Sequence, residues 1–387
     1  MNRRLIFGSG LLVATTLLGA CATGSATNEP SEPAFATEPA APKPRMTIEW
    51  RRNLDQAKFG EYRTRQYATP HLLRTADRRE LLVGTAQGKL FRFRASDGKL
   101  RWRAELDGPI HAEPVANRRR VYVGTIHGTF YALDRKTGEV DWKVDNPRAI
   151  ESQAAVESGI VFYTTNAGRL VAVDESSGEK AWTYSRSIPK EFTVQGSGTP
   201  VVDRRTVYTG FADGTVASLD TMTGQVNWET NVSGDVTEYT DVDGPVTLRD
   251  DRIYVTSYGA GVSVLERKTG NPIWSRSFEN VASAKLVGQS IYLAIATGRV
   301  VALDAETGQG EWGFKLSHYL PVDLSATNDY VFVSTGSGPL YALDRATGYP
   351  LMTWKPSNGF STPVAFSERA GYLLSNRGYL YAIRLAY

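Results

Sequence analysis

Leu133-Asp134-Arg135-Lys136-Thr137-Gly138-Glu139-Val140-Asp141-Trp142 decides the fold, because the chain writes this stretch again and again. It returns as Val173 to Trp182, Leu219 to Trp228, Leu265 to Trp274 and Leu303 to Trp312, and as Leu343 to Met352 followed by Trp354. The common pattern is an apolar residue, Asp, two variable residues, Thr, Gly, three variable residues and Trp. The glycines at 98, 138, 178, 224, 270, 308 and 348 stand where a tight hairpin turn needs a positive φ. Upstream of each turn lie two β-rich runs, such as Val121 to Thr125 and Thr129 to Leu133, joined by Ile126-His127-Gly128. Before them comes a strand opening on Glu113-Pro114-Val115, echoed by Thr199-Pro200-Val201, Gly244-Pro245-Val246 and Thr362-Pro363-Val364. Four short antiparallel strands in a unit of about 40 residues make one blade of a β-propeller.

The tryptophans count the blades. They fall at 50, 102, 142, 182, 228, 274, 312 and 354, which is all eight in the chain, so the fold is an eight-bladed β-propeller over residues 47–387. Residues 360–387 supply only three strands, while Thr47-Ile48-Glu49-Trp50 reads as an outer strand with nothing before it. The N-terminal strand is therefore expected to complete the last blade and to cover edges that would otherwise invite pairing. Large rings at a fixed place in each repeat read as packing between neighbouring blades. Aspartates 134, 174, 220, 304 and 344 read as turn caps rather than metal ligands.

Ahead of the repeats stand a basic start (Arg3, Arg4), an apolar run from Leu5 to Leu18, and Gly19-Ala20-Cys21. These are the parts of a secretory signal, and the run is shorter than the roughly 20 residues a spanning helix needs. Leu18-Gly19-Ala20-Cys21 resembles a bacterial lipobox, which implies a signal peptide over 1–20 and a lipid-modified Cys21; an ordinary signal peptide with a chance cysteine is the alternative. Several acyl chains on one residue anchor stably where one would be marginal. Ala22, rather than Asp, follows the cysteine, which by the rule for such lipoproteins favours the outer membrane. Residues 21–46 hold five prolines among Ala, Thr, Ser and Glu, and read as a tether. Fully extended, it would reach on the order of 80 Å.

Composition excludes several classes. The formal charge of +3 falls to +1 without Arg3 and Arg4, which is no nucleic-acid footprint. The densest basic run, Arg118 to Arg120, reads as a solvated hairpin turn. Cys21 is the single cysteine, so no disulfide forms within the chain. Histidines 71, 111, 127 and 318 lie in different blades without ligand spacing, and only His111 and His127 could approach each other. Gly196-Ser197-Gly198 is turn chemistry, with neither a phosphate loop nor a nucleophile elbow around it. No catalytic, cofactor or metal residue is assigned.

The repeat resembles the tryptophan-docking motif of the PQQ-like propellers, whose enzymes are quinoprotein dehydrogenases. Their alcohol dehydrogenase branch implies adjacent cysteines and a calcium site, and the cysteine pair is missing here. A quinone-dependent redox role, or binding of another envelope component, stays as the alternative function.

Two successive Trp intervals, 182 to 228 and 228 to 274, run 46 residues where most run 38 to 42. The added length falls after Trp182 and after Trp228, in adjacent blades, and neighbouring enlarged loops on a rigid scaffold are where binding resides. The first loop, residues 188–197, is apolar beside polar; the second, residues 235–244, holds four carboxylates. Ordinary loop-length variation is the bland alternative. With the lipobox, tether and eight blades, Asp241-Val242-Asp243 leading into Pro245-Val246 resembles the BamB family of propeller lipoproteins in the outer-membrane β-barrel assembly machinery. The resemblance implies a non-catalytic scaffold, anchored to the outer membrane and facing the periplasm. It also implies that Asp241 and Asp243, with Phe192, Val194 and Gln195, contact the POTRA domains of BamA, and that charge reversal at both aspartates leaves the fold intact. Gln195 departs from the family's Arg at that position. The lipobox reading is checked by Cys21→Ala: the variant is expected in the soluble periplasmic fraction, and its retention in washed membranes would refute the reading.

Overall fold

Strands that are buried on both faces carry continuous apolar runs, and strands with one wet face alternate. The repeat contains both kinds, in a fixed order. The computed structural model describes residues 38–55, 65–74, 79–187, 198–356 and 358–386, and the regular structure among them is all β. Ile160–Thr165 and Tyr330–Thr335 are buried at every position, whereas Val140–Asp145, at the rim of its sheet, alternates exposed with half-buried. Eight four-stranded antiparallel sheets result. Blades 1 to 7 span residues 71–105, 115–145, 155–185, 201–231, 247–276, 281–315 and 321–354. The inner strands begin at Val115, Val201, Thr247 and Ala365, one or two residues after the prolines that announce them.

Blade 8 is composite. Ala365–Ser367, Ala370–Leu374 and Tyr379–Ala386 come from the C-terminus, and the outer strand is β1 (Arg45–Asn53), paired from Arg45 opposite Ala386 to Asn53 opposite Tyr379. The expected closure is thus observed, with one irregularity between Ile48 and Trp50. The body also reaches further toward the N-terminus than residue 47. β1 starts at Arg45, Pro44 is buried, and Ala41 packs on the core between blades 7 and 8. The amides of Ala40 (2.6 Å) and Ala41 donate to Asp344 Oδ2, and Tyr330 Oη donates to the carbonyl of Pro42 at 3.0 Å.

The cores lie between blades. Ile160, Phe162 and Leu170 of blade 3 pack on Val207, Ala217 and Leu219 of blade 4, and the other interfaces repeat the arrangement. At the rim, each tryptophan lies on the next blade's turn. The Trp142 indole donates to the Glu175 carbonyl at 3.0 Å, Trp102 to Arg135 at 2.9 Å, Trp182 to Thr221 at 2.9 Å, and Trp50 to Ala95 at 3.0 Å across the closure. The turn glycines therefore carry a second requirement besides positive φ. A Cβ on Gly178 (φ 75°) would stand 2.6 Å from the Trp142 ring, and Gly138 and Gly224 show the same approach to Trp102 and Trp182. Two positions depart. Trp274 finds no acceptor for its indole N–H among the described residues, although Gly308 sits on its ring. Trp354 faces the composite blade, which has no such turn, and packs on Phe360 and Tyr381 instead.

The turn aspartates cap as expected. Asp134 Oδ1 accepts the amides of Lys136 and Thr137 at 2.8 Å, and Asp174, Asp220, Asp304 and Asp344 accept the matching pairs. Bonds from Ser176 and Ser177 hold the Asp174 carboxyl down to about 2. The basic run is only partly a solvated turn. Arg118 and Arg119 are exposed, but Arg120 enters its strand, pairs with Asp141 at 2.7 Å and donates to the Glu175 carbonyl of blade 3 at 3.1 Å.

Gly178→Ala combines a left-handed backbone with a methyl group inside the Trp142 ring contact. It is expected to lower unfolding stability by about 2–4 kcal/mol, read from urea denaturation monitored by tryptophan fluorescence. A midpoint equal to that of the parent would contradict the docking requirement.

Candidate partner-binding site

On the face opposite the turns, the connections from blade 1 to 2, 2 to 3, 4 to 5 and 7 to 8 cross the wedge between those blades. An apolar residue plugs that wedge: Ile110, Ile150, Val242 and Phe360 occupy equivalent places. Their amides donate to the carbonyls of Thr85, Thr125, Phe211 and Thr335 at 3.0 to 3.1 Å. Glycine makes the room, since a Cβ on Gly210 would stand 2.2 Å from Val242, and one on Gly124 2.2 Å from Ile150. Val242, the middle residue of Asp241-Val242-Asp243, is therefore a structural plug. For Ile110, Val242 and Phe360 the signal was in the sequence, as an apolar residue three or four places before the proline that precedes an inner strand; Ile150 has no such proline after it.

The plug fixes its neighbours. Asp241 is fully buried, Asp243 half-buried, and Asp235, Glu238 and Tyr239 are exposed. The loop is tied to residues 257–259 of blade 5, where Ser257 Oγ donates to the Thr240 carbonyl at 2.9 Å. The Tyr258 amide donates to that of Asp241 at 3.1 Å and the Gly259 amide to that of Tyr239 at 2.8 Å. From blade 4, the Ala212 carbonyl accepts Thr240 Oγ1 at 3.1 Å. Tyr239 is held at φ 54°, an uncommon conformation for a bulky side chain, with its ring 6.2 Å from that of Tyr258. The four carboxylates thus do not form one exposed patch. Asp235 and Glu238 carry the surface charge, Asp243 stands at the margin, and Asp241 belongs to the interior, so charge reversal at Asp241 strikes the fold itself.

Burial, reinforced by the neighbouring Asp241 charge, pushes the Asp243 carboxyl up to about 6. The residue after the plug is polar in other blades too. There, adjacent positions pair: His111 Nδ1 lies 2.8 Å from Glu151 Oε1, while Asn166 Nδ2 donates to Glu151 Oε2 at 2.5 Å. The His111 and Asn166 bonds hold the Glu151 carboxyl below its ordinary range. His71 is bonded to Glu113 at 2.7 Å and His127 to the Asp107 carbonyl at 2.8 Å, so His111 and His127 each have partners of their own. His318 is exposed, and no cluster of three metal-ligating side chains occurs among the described residues.

The first enlarged loop, with Phe192, Val194 and Gln195, lies outside the described residues, as does Cys21. Its entrance is described. Arg186 bridges Asp213 and Glu229 of blade 4, at 2.6 Å to each, and Tyr184 Oη donates to Glu229. This ion-pair bridge, which sequence reasoning missed, ties the end of blade 3's outer strand to blade 4.

A carboxyl whose folded pKa lies above its unfolded value contributes stability below the unfolded value, about 4, and loses it as pH rises through the folded one. Asp243→Asn is therefore expected to be more stable than the parent at pH 8 and to lose part of the stability change between pH 4 and pH 8, read by urea denaturation across that range. Parallel profiles for the two proteins would contradict the burial of this carboxyl.

A family model described as outer membrane protein assembly factor BamB matches residues 47–155, 114–314 and 296–386. The protein of that name from Kangiella koreensis is 28% identical over 171 residues, 43% of this chain and 44% of that one. The chain spans about half the length of the curated relatives it matches. The crystal structure of BamB from Moraxella catarrhalis superposes with a TM-score of 0.76 at 22% identity, over 88% of this chain and 100% of the other. The quinohemoprotein alcohol dehydrogenase of Comamonas testosteroni reaches 0.71 at 16% identity, over 88% and 76%, a likeness of fold alone. With the matched segments running through all eight blades, the chain belongs to the BamB family of outer membrane protein assembly factors.

Proposed function

We propose that this chain is a non-catalytic scaffold lipoprotein of the outer-membrane barrel assembly machinery, anchored through Cys21 and facing the periplasm. In this reading it binds the POTRA domains of BamA and assists the folding and insertion of outer-membrane proteins. The observation that carries the reading is the loop of residues 235–243, which is tied down on both sides by backbone bonds yet offers Asp235, Glu238 and Tyr239 to solvent. A surface ordered before its partner arrives loses little entropy on binding, and an exposed tyrosine beside carboxylates supplies an anchor with a charged rim. Phe192, Val194 and Gln195 would add the apolar half of the surface. Asp241 would act from the interior by holding the loop, and Asp243 by contact at its margin. The quinone-dependent alternative draws on a fold likeness, while its adjacent cysteines have no counterpart in a sequence whose single cysteine is Cys21.

Asp235→Lys combined with Glu238→Lys, both at exposed positions, is expected to weaken capture of the periplasmic POTRA region of BamA roughly tenfold or more, measured by surface-immobilised binding. An unchanged melting temperature would show that the fold is kept. Unaltered affinity in the folded double variant would refute this surface.

A further inference from the structure

On the face that carries the loop of residues 235–243, a short hairpin joins the second and third strands of each blade. In blades 1, 2, 3, 4, 6 and 8 it closes on itself: a glycine amide, such as that of Gly88, Gly128 or Gly378, donates to the carbonyl three residues earlier, at 2.8 to 3.2 Å. In blade 5 the amides of Tyr258, Gly259 and Ala260 are taken by Asp241, Tyr239 and Ser257. Blade 7 breaks the pattern. Its hairpin runs Thr335-Gly336-Ser337-Gly338-Pro339, and the amides of Gly336, Ser337 and Gly338 donate to no atom of the described residues. The Tyr319 ring lies against Gly338, 2.3 Å from where a Cβ would stand. The turn is nevertheless fixed: Asn376 Nδ2 of blade 8 donates to the Gly336 carbonyl at 2.8 Å, and Thr335 Oγ1 to that of Pro339 at 2.7 Å. The carbonyl and amide of one peptide unit point opposite ways, so the Ser337 N–H faces away from Asn376.

Two cations stand beside this turn. Arg65 Nη1 lies 3.6 Å from the position a Cβ on Gly336 would take, and Lys355 donates to Tyr319 Oη at 2.9 Å, its ammonium 5.0 Å from the centre of that ring. Both are exposed, and neither is ion-paired among the described residues. The nearby carboxylates are turned elsewhere: Asp323 accepts Ser283 Oγ of blade 6 at 2.5 Å, and Asp55 is buried beside Gly378. Peptide N–H groups seldom go without an acceptor, and successive unpaired amides in a turn make a concavity that binds anions. We propose that the hairpin of residues 336–338, flanked by Arg65 and Lys355, binds a carboxylate of a polypeptide partner. A protein carboxylate is favoured over a phosphate because the hairpin shares its face with the loop of residues 235–243, while Asp344 holds the linker on the opposite one. This choice of ligand rests on the reading of that face as the partner-binding one. An acidic side chain and a chain terminus present the same two oxygens, and the test separates them.

The full-length chain in detergent, without BamA, is titrated into fluorescein-labelled peptides of glycine and glutamine, and anisotropy is read. One peptide is neutral with an amidated end, one has the same end but glutamate in place of glutamine, and one has a free carboxyl end. Binding is expected to a carboxylate-bearing peptide and not to the neutral one; the peptide with glutamates reports a side-chain ligand, the one with the free end a chain terminus. Arg65→Gln/Lys355→Gln is expected to lower that affinity roughly tenfold or more with an unchanged melting temperature. Arg148→Gln, at an exposed arginine on the same face between blades 2 and 3, is expected to bind like the parent. Hydrogen exchange at residues 336–338 is expected to slow when the peptide binds, while residues 126–128, in a closed hairpin, stay as they were. No binding of either carboxylate peptide, equal binding of the neutral one, a folded double variant that binds like the parent, or exchange at 336–338 that inorganic phosphate slows and the peptides do not overturns the proposal. With BamA absent, failure of this site leaves POTRA capture by the loop of residues 235–243 to be judged by its own variant, and the reverse.

Discussion

The ring depends on one contact, an indole laid on a neighbour's glycine with its N–H given to the backbone carbonyl just inside the same turn. Trp102 on Gly138, Trp142 on Gly178 and Trp182 on Gly224 show it in successive blades. A single buried bond of this type contributes on the order of 1 kcal/mol, and the ring face adds the removal of apolar area from water. Its larger effect is geometric. An outer strand cannot shift along its blade without withdrawing the indole from the next turn, so the sheets hold one another in register around the circle.

A second set of contacts secures the ring on the opposite face, where Ile110, Ile150, Val242 and Phe360 fill the wedges. Between the rim tryptophan and the wedge plug, little is fixed by either. That is where the chain accommodates extra residues, after Trp182 and Trp228, and it explains how the loops can lengthen without any change in the blades. The turns that precede the outer strands of blades 1 to 7, on the other face, have no such latitude, because each is also a seat for an indole.

These two kinds of position account for what the sequence disclosed. Blade number, strand order and closure were legible because Trp and Gly recur at a spacing that only one architecture satisfies. The turn aspartates were legible because an Asp two and three residues before amide donors has a local explanation. The site was harder. Asp241 and Asp243 look alike in sequence, yet one is enclosed and the other half-exposed, because the side chains beside a wedge plug depend on how the following blade's turn folds over them. The Arg186 bridge to Asp213 and Glu229 joins residues from two blades, and nothing local marks the three as neighbours. The same holds for Asp344, whose second carboxylate oxygen is committed to a segment 303 residues away.

That commitment has a mechanical consequence. Any pull transmitted through the linker reaches Asp344 and the Pro42 carbonyl first, so the load falls on a side-chain clasp before it falls on a sheet. Beyond the clasp, tension along the axis of β1, which runs antiparallel to the strand it is paired with, would shear the ladder from Arg45 to Asn53 as a set rather than peel it bond by bond. Were the N-terminal end tethered, a ring sealed by that end would be opened most readily by its own tether; the clasp and the direction of the strand together would make the seam resist that failure.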